Sequence, residues 1–255
     1  MTTLVFVGPT LAADEVARRL PGAEVRPPVS VGDVLALLSR AGRRVTRIAI
    51  IDGYFERMAA VWHKELLLAV ERGVEVWGAA SMGALRAAEL APFGMRGVGA
   101  IYRAYVRGAL GKPGAVCSGL PPLVADDEVA VAHLPAEAGY RAVSDALVNL
   151  RSGLAAAPFL SARTRDRLIE LARERFYRER SWAQLITDGR AARLPPAELA
   201  ALEAWRKPDR KAADARLLVR TLARSAPHRR SSHALRVPRT WAIRQLGPVP
   251  RLRNR

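Results

Sequence analysis

Ser81 is a candidate nucleophile because of its position in the chain. It lies in residues 77–90, WGAASMGALRAAEL, where an apolar run ends and a helix-like pattern begins. A serine at such a junction can expose its hydroxyl, and the first N–H groups of the helix can stabilise a developing oxyanion or bind a phosphate or carboxylate. Residue 79 is alanine, so the G-x-S-x-G elbow is absent. A serine that only caps the helix is the alternative.

Two candidate bases, His63 and Lys64, precede Ser81 in the stretch VWHKEL. Histidine is the usual general base near neutral pH, and a desolvated lysine can serve in its place. Consecutive helical residues point about 100° apart, so His63, Lys64 and Glu65 cannot all face one site. Alternatively, Lys64 and Glu65 form a surface ion pair and His63 is a hydrogen-bonded core residue. None of the three would then take part in catalysis.

Asp52 ends the buried run RIAIIDG, residues 47–53. A carboxylate at a strand end can orient a base, bind a metal or form a turn with Gly53. An acidic triplet at residues 126–128 could bind Mg²⁺ or position His133, although a solvated surface is the ordinary reading.

The helix pattern after Ser81 carries Arg86 and Glu89, whose spacing of three permits a local ion pair. No phosphate-binding loop, dinucleotide fingerprint or H-E-x-x-H motif is present in the sequence. We therefore expect neither a cofactor nor a resident metal.

Four strand–helix units in succession must position these side chains. Apolar runs that each precede a helical pattern favour a parallel sheet with helices on both faces, a Rossmann-like α/β fold. Ligands bind beyond the carboxyl ends of such strands. The loops at residues 8–10, 52–54 and 80–82 should therefore face one crevice, which adds Thr10, Gly53 and Ala80 to the candidate binding residues. The four apolar runs are residues 4–10, 23–29, 47–53 and 74–80, and the clearest following helices are residues 11–20, 31–42, 58–73 and 82–90.

The second half of the chain is mainly helical in pattern. The alternation at residues 126–134 predicts a strand. Helices are predicted at residues 97–110, 136–157, 161–180 and 196–220. We divide the chain into an α/β core at residues 1–150, a basic helical extension at 151–220 and an Arg-rich irregular tail at 221–255.

The net charge of +17 lies almost entirely in the second half of the chain. Residues 151–255 hold 25 Lys/Arg against 9 Asp/Glu, whereas residues 1–150 hold 16 against 15. Such asymmetry suggests an acidic partner, nucleic acid included, or serves only solubility. A single cysteine, Cys117, excludes an internal disulfide, and no apolar run could span a membrane. The first residues read as a strand rather than a signal peptide, so we expect a cytoplasmic protein.

Several long motifs occur in order over residues 4–220, namely FVGPTL, IIDGYF, VWHKELLLAVERGVEVWGAASMGALRAAEL, DDEVAVAH and DRKAADARLLV. In these motifs the sequence resembles the TfuA-like family. The resemblance implies partnership with a YcaO enzyme that installs thioamides in peptide backbones during natural-product biosynthesis. It also implies hydrolysis of a thiocarboxylated, ubiquitin-like sulfur carrier protein, which delivers sulfide, and it suggests a precursor peptide as a further partner.

The resemblance implies roles for the candidate residues. A narrow slot for a Gly-Gly tail would be formed by small residues such as Ala80 and Gly83. Ser81 would act as nucleophile or hold the attacking water, with oxyanion donors at Met82 and Gly83. His63 or Lys64 would move protons, Asp52 would orient the base, and Arg86 would pair with the thiocarboxylate. Two alternatives stay open: a non-catalytic adaptor for carrier and YcaO, and a nucleic-acid-binding protein.

Overall fold

One parallel sheet organises the molecule. The computed structural model describes residues 2–39, 45–54, 59–109, 111, 119–226, 235–238, 240, 241 and 245. Within these residues five strands form a sheet of order β2-β1-β3-β4-β5, in which every neighbouring pair is parallel. This confirms the predicted α/β fold and adds a short edge strand, β5. The strands are β1 Thr2–Phe6, β2 Glu24–Arg26, β3 Val45–Ile50, β4 Glu75–Gly78 and β5 Arg96–Gly97.

Helices cover the sheet and then continue into a helical second half, as predicted. The first four are α1 Ala13–Arg19, α2 Asp33–Ser39, α3 His63–Glu71 and α4 Met82–Leu90. The later ones are α5 Ala100–Ala109, α6 Leu147–Ala156, α7 Ala162–Glu174, α8 Trp182–Ala191, α9 Pro196–Ala204 and α10 Arg210–Ala223.

The two faces of the sheet bury different helices because alternate strand residues point in opposite directions. Leu4 and Ile48 belong to a core with residues of α2, α3 and α4. Val5 and Ala49 belong to a second core with α1 and α10. A helix from the far end of the chain thus covers one face of the sheet. The division at residues 150 and 220 stays a prediction.

The strand prediction for residues 126–134 is wrong. Asp126–Glu128 form a 3₁₀ turn, and His133 makes only an isolated antiparallel bridge with Ala142. Two buried arginines fix the turn, one in α6 and one between α7 and α8. Arg151 donates to both carboxylate oxygens of Glu128, at 3.0 and 2.9 Å, and Arg180 donates to the Asp127 carboxylate at 2.6 Å. These ion pairs between distant residues hold the segment as a turn, although its alternating apolar and polar residues predict a strand.

Several predicted helices begin or end at other residues in the structure. The helix predicted from residue 58 begins at His63, where the Glu65 carboxylate accepts the Trp62 N–H at 3.2 Å. The helix predicted at 136–157 forms only from Leu147. The one predicted at 196–220 is two helices, because the chain turns through Pro208 before Asp209 caps α10. The sequence pattern did not predict α8.

Part of the tail packs on the core. Leu235 and Val237 lie against α2 and α3, and the Val237 N–H lies 3.3 Å from a Glu71 carboxylate oxygen. Most of residues 227–255, and Cys117, lie outside the described residues. No helix in the described ranges combines the length and apolarity that crossing a bilayer requires.

Candidate functional site

A small cavity lies at the carboxyl edge of the sheet, where the strand order reverses between β1 and β3. This switch point is where doubly wound sheets usually bind ligands. The cavity has a volume of about 40 Å³ and combines the three loops expected to meet there. Its lining consists of Pro9, Asp52, Gly53, Ser81, Met82, Leu85, Asp126, Val129, Ala130, Val131 and His133.

Ser81 lines this cavity and does not cap the helix that follows it. Its side chain makes no capping hydrogen bond to α4, nor any other hydrogen bond among the residues that the structure describes. The preceding Ala80 has a φ of 66°, which is costly for a residue with a Cβ. Strained turns of this kind occur at functional sites, where they aim a side chain. Ser81 is only 9% exposed, so its hydroxyl can be reached only by a molecule that enters this cavity.

Glycines let the start of α4 approach the sheet. A Cβ on Gly83 would lie 1.8 Å from the Ile50 carbonyl oxygen, and one on Gly78 would lie 2.0 Å from the Gly83 carbonyl oxygen. The Gly83 N–H donates to the Ile51 carbonyl at 3.2 Å. Gly83 and Ala80 are buried and do not line the cavity, so their small size serves packing here.

Two backbone N–H groups of the cavity lining are unengaged. Within the described ranges, neither Gly53 nor Met82 donates its N–H to a protein acceptor. Met82 opens α4, where the helix dipole favours negative charge. The Cβ that Gly53 lacks would collide with the Met82 side chain at 2.9 Å. These two residues are therefore in close contact and both have an N–H without an acceptor in the described ranges, whereas the Gly83 N–H is already engaged.

Asp52 holds the loop after β1. Its carboxylate is buried and accepts three hydrogen bonds, from the Gly8 N–H at 2.9 Å, the Thr10 N–H at 3.1 Å and the Thr10 hydroxyl at 2.5 Å. Thr10 itself lies behind the cavity and is not part of its lining. The pair therefore fixes the loop that presents Pro9 to the cavity.

We expect Asp52→Asn to destabilise the protein by about 2 kcal/mol, because an amide replaces a charged acceptor opposite three donors. Urea unfolding followed by circular dichroism measures the change. Asp166→Asn, at a surface carboxylate whose side chain is 72% exposed, is the control and should leave the stability nearly unchanged. Equal stability of the two variants would show that the Asp52 network does not hold the loop.

His133 is the histidine that the structure places in the cavity lining. Its Nδ1 lies 2.8 Å from the Leu134 carbonyl, which can only accept, so Nδ1 carries the proton and Nε2 is left as an acceptor. The rings of Tyr54 and Tyr140 lie 6.1 and 5.8 Å away. Burial and the Tyr140 hydroxyl raise the pKa of Tyr54 to about 12, so Tyr54 stays neutral beside the histidine.

Sequence reasoning weighed His133 only as a residue that the acidic triplet might position. The signal was its location five residues after that triplet, but the strand assumed there was wrong. Its place in the cavity depends on the turn at residues 126–128 and on the bridge to Ala142.

The structure does not place His63 or Lys64 in the cavity lining. His63 Nε2 lies 2.8 Å from the Glu89 carboxylate, which Arg86 also contacts at 2.7 Å. Burial raises the pKa of Glu89, but these hydrogen bonds outweigh it and hold the pKa below its usual value. Lys64 points elsewhere, and its Nζ donates to the Thr240 hydroxyl at 3.0 Å.

A larger groove of about 390 Å³ adjoins the Ser81 cavity. The two share Met82, Leu85 and Asp126, so they form a continuous depression. Arg86, Glu89 and the shared Asp126 contribute the charged part of the groove lining. The remaining lining residues are Ala60, Val124 and Ala125.

The described residues offer no cluster of three or more His, Cys, Asp or Glu side chains that could hold a metal ion.

A family model described as TfuA-like protein matches residues 52–181, which is just over half of the 255 residues. The matched segment contains Asp52, Ser81 and His133 and ends before α10. The search of curated proteins returned no match.

Proposed function

The chain belongs to the TfuA-like family, and from this premise we propose that it hydrolyses a thiocarboxylated, ubiquitin-like sulfur carrier protein at the Ser81 cavity. Membership of the family associates the chain with YcaO-dependent thioamidation. In the proposal, the sulfide released here is passed to a YcaO enzyme for peptide backbone thioamidation. The observation that supports it most is a Ser81 hydroxyl without a partner among the described residues, in a cavity whose lining also includes His133, Gly53 and Met82.

The reaction needs an attacking oxygen, a proton carrier and a place for negative charge. Ser81 Oγ adds to the thiocarboxylate carbon while His133 Nε2 accepts the hydroxyl proton. The N–H groups of Met82 and Gly53 receive the oxyanion. The C–S bond then breaks, and the sulfur leaves as hydrosulfide with the proton from His133. His133 then takes a proton from water, the hydroxide cleaves the resulting ester, and His133 returns that proton to Ser81 Oγ. The new carboxylic acid loses its own proton to solvent, so the products are hydrosulfide, the carrier carboxylate and one proton.

A variant of this scheme keeps Ser81 as the residue that holds the attacking water. His133 then activates that water directly, and no ester forms. The two routes differ in one observable, an acyl-enzyme with the mass of the carrier added to the chain. Rapid quenching and intact-mass measurement therefore distinguish them.

The dimensions of the depression suit the end of a glycine-terminated protein. A cavity of about 40 Å³ admits little more than the terminal thiocarboxylate, and the adjoining groove of about 390 Å³ has room for the preceding tail residues. Arg86, whose side chain is 13% exposed, lies in the groove lining. Its guanidinium group can pair with a carboxylate or carbonyl of the tail.

The test mixes the purified protein with thiocarboxylated carrier and follows sulfide together with carrier mass. We expect sulfide release and a carrier whose terminus has become a carboxylate. Carrier with an ordinary carboxylate terminus is the control and should yield no sulfide. No turnover with or without a YcaO enzyme would remove the enzyme proposal.

We expect Arg86→Met to raise KM for the carrier about tenfold, equivalent to about 1.4 kcal/mol of binding, with kcat changed less than about threefold. The reason is that Arg86 lies in the groove rather than in the Ser81 cavity. Arg103→Met on the exposed surface of α5 is the matched control. An unchanged KM, or a loss confined to kcat, would contradict a tail-binding role.

A second candidate function is a non-catalytic adaptor that docks the carrier and the YcaO enzyme. The charge of +16 on residues 151–255 favours it, because a basic surface attracts an acidic partner. This reading predicts complexes that weaken with salt and no carrier turnover by the isolated protein.

Binding of RNA or DNA through the same residues is the third reading. A fluorescence titration near physiological salt tests it, and weak, sequence-blind binding would be the generic polyelectrolyte effect.

A further inference from the structure

A short segment of the tail runs along the surface formed by α2 and α3. We call this segment, residues 235–238, 240 and 241, the strap. Leu235 and Val237 pack on that surface, whereas Arg236 and Pro238 are exposed, which is the alternation of an extended chain. The strap is therefore attached by alternate side chains and presents the others to solvent.

The strap leads toward the carboxyl edge of the sheet. Because α3 connects the parallel strands β3 and β4, its first residues lie at the carboxyl edge and its last residues at the amino edge. The Val237 N–H lies 3.3 Å from a carboxylate oxygen of Glu71, the last residue of α3. The Thr240 hydroxyl accepts from Lys64 Nζ at 3.0 Å in the first turn. The strap thus runs antiparallel to α3 and reaches the edge that holds the Ser81 cavity.

The start of α3 adjoins the larger groove in two ways. Ala60 lines the groove, and His63 Nε2 lies 2.8 Å from the carboxylate of Glu89, which also lines it. Trp62 lies between Ala60 and His63 in the chain and is 36% exposed. Trp241, at the end of the strap, is 75% exposed. Two tryptophans are therefore presented to solvent beside the groove.

Exposed apolar side chains are concentrated around this groove. Val124 lines it and is 79% exposed, so it continues the apolar surface of Trp62 and Trp241. Tryptophan is among the residues most enriched at the energetic centres of protein interfaces, and an exposed apolar patch with a polar border marks such an interface. The other large apolar residues that are exposed in the described ranges are Phe93, Val143 and Phe176.

The strap also belongs to the most basic part of the sequence. From residue 221 onward the chain holds nine arginines and no Asp or Glu. Arg236 of the strap is exposed, and Lys64 adds a positive charge where the strap meets α3. Charge complementarity therefore favours an acidic partner on this surface.

We propose that Trp62, Val124 and Trp241 form the docking surface for the folded body of an acidic protein whose glycine-ended tail enters the groove. The groove has room for a few tail residues only, so the body of the protein that carries the tail must rest on the rim. The inference rests on the proposed function for the identity of this partner, the sulfur carrier, and on exposure, position and charge for the surface.

The first test measures the Kd of the full-length protein for the sulfur carrier with an ordinary carboxylate terminus, by calorimetry, so that no turnover is needed. We expect Trp241→Ser to raise Kd about tenfold, and Trp241→Phe, which keeps an aromatic ring, to stay within about threefold of the wild type. Trp62→Ser should raise Kd about tenfold as well, and serine suits the N-cap that Trp62 occupies in α3.

Phe93→Ser is the matched control, because it removes an exposed aromatic ring beyond the far end of α4. It should leave Kd for the carrier unchanged. Wild-type Kd in both Trp62→Ser and Trp241→Ser would overturn the proposal.

Val237→Asp tests whether the strap places Trp241. A carboxylate in apolar contact with α2 and α3, next to Glu71, should detach the strap, so Kd should rise as much as in Trp241→Ser. The double variant should bind no more weakly than either single variant, because both changes remove the same contact. Additive losses would contradict placement by the strap.

A short synthetic peptide with the sequence of the carrier tail separates the docking surface from the groove. It should bind the wild type and Trp241→Ser equally, whereas Arg86→Met should weaken it, because Arg86 lines the groove. Weaker binding of the peptide to Trp241→Ser would place Trp241 in tail binding and overturn its assignment to the body of the carrier.

Failure of this surface and failure of the proposed function give different results. If the wild type releases sulfide while both tryptophan variants keep its KM and Kd, the surface is wrong and the function stands. If the wild type binds the carrier through the two tryptophans but releases no sulfide, the surface stands and hydrolysis is wrong. A wild type that does not bind the carrier overturns both.

Two other occupants are outcomes of the same experiments. If the tryptophan variants bind a YcaO enzyme more weakly and the carrier as well as the wild type does, the surface belongs to that enzyme. If sedimentation shows a wild-type dimer that Trp241→Ser dissociates, a second copy of the chain covers the surface. Either result would overturn the proposal.

Discussion

We expect Ser81→Ala to lower the rate of sulfide release from thiocarboxylated carrier by about 10³-fold or more, with carrier affinity changed by less than about threefold. The loss is large because the substitution removes the oxygen that attacks the carbon or holds the water that does. Affinity persists because the groove that adjoins the cavity is untouched. Single-turnover sulfide release and carrier titration measure the two quantities.

The controls for this variant also identify the base. Thr187→Val removes a hydroxyl from an exposed position on α8. It should leave the rate of sulfide release and the carrier affinity unchanged. Of His133→Gln, His63→Gln and Lys64→Met, we expect the first to lose most activity, because His133 is the one that lines the cavity with Ser81. A dominant loss in either of the other two would restore the base first expected from the sequence. If Ser81→Ala keeps more than a tenth of the wild-type rate of sulfide release, the catalytic site is not at Ser81. That result would favour the non-catalytic adaptor.

The strand ends were predictable because they depend on local patterns. Continuous apolar runs followed by helical spacing placed Asp52 and Ser81 at the carboxyl edge of a parallel sheet, and the structure brings both into one cavity. Topology then decides which loops meet, and the rule for doubly wound sheets applies without knowledge of any side-chain contact.

His133 could not be placed in this way, because long-range contacts position it. The turn before His133 depends on Arg151 and Arg180, and these arginines are separated from their partners by 23 and 53 residues. Val129, which also lines the cavity, has its carbonyl held by Lys211 of α10, 82 residues further along the chain. An alternating pattern at residues 126–134 looks the same whether or not a neighbouring strand exists.

Small residues around Ser81 show why composition alone misleads. A glycine can clear space for a ligand or allow two backbones to meet, and both uses give the same letter in a sequence. Gly53 does line the cavity, whereas Gly83 faces the Ile50 carbonyl. Only the three-dimensional neighbours distinguish the two cases.

This distinction leads to the largest expected effect on stability. We expect Gly83→Ala to cost about 3 kcal/mol or more, because the new Cβ would lie 1.8 Å from the Ile50 carbonyl oxygen and 2.6 Å from its carbon. Backbone atoms of a central strand cannot yield as a flexible side chain would. Relief requires α4 to move away from β3, which displaces Ser81 and Met82 together, so the residual folded protein should also lose activity.

Gly139→Ala is the matched control for this prediction. Gly139 has a φ of 67° but no atom within 4 Å of its added Cβ, so only the backbone strain of about 1–2 kcal/mol applies. Urea unfolding of both variants separates collision from conformational strain, and sulfide release by the folded fraction tests the displacement of Ser81. If Gly83→Ala were no less stable than Gly139→Ala, α4 would have room to shift. The Ser81 hydroxyl would then not be held by close contact with the sheet, and the fixed geometry on which the catalytic proposal depends would be lost.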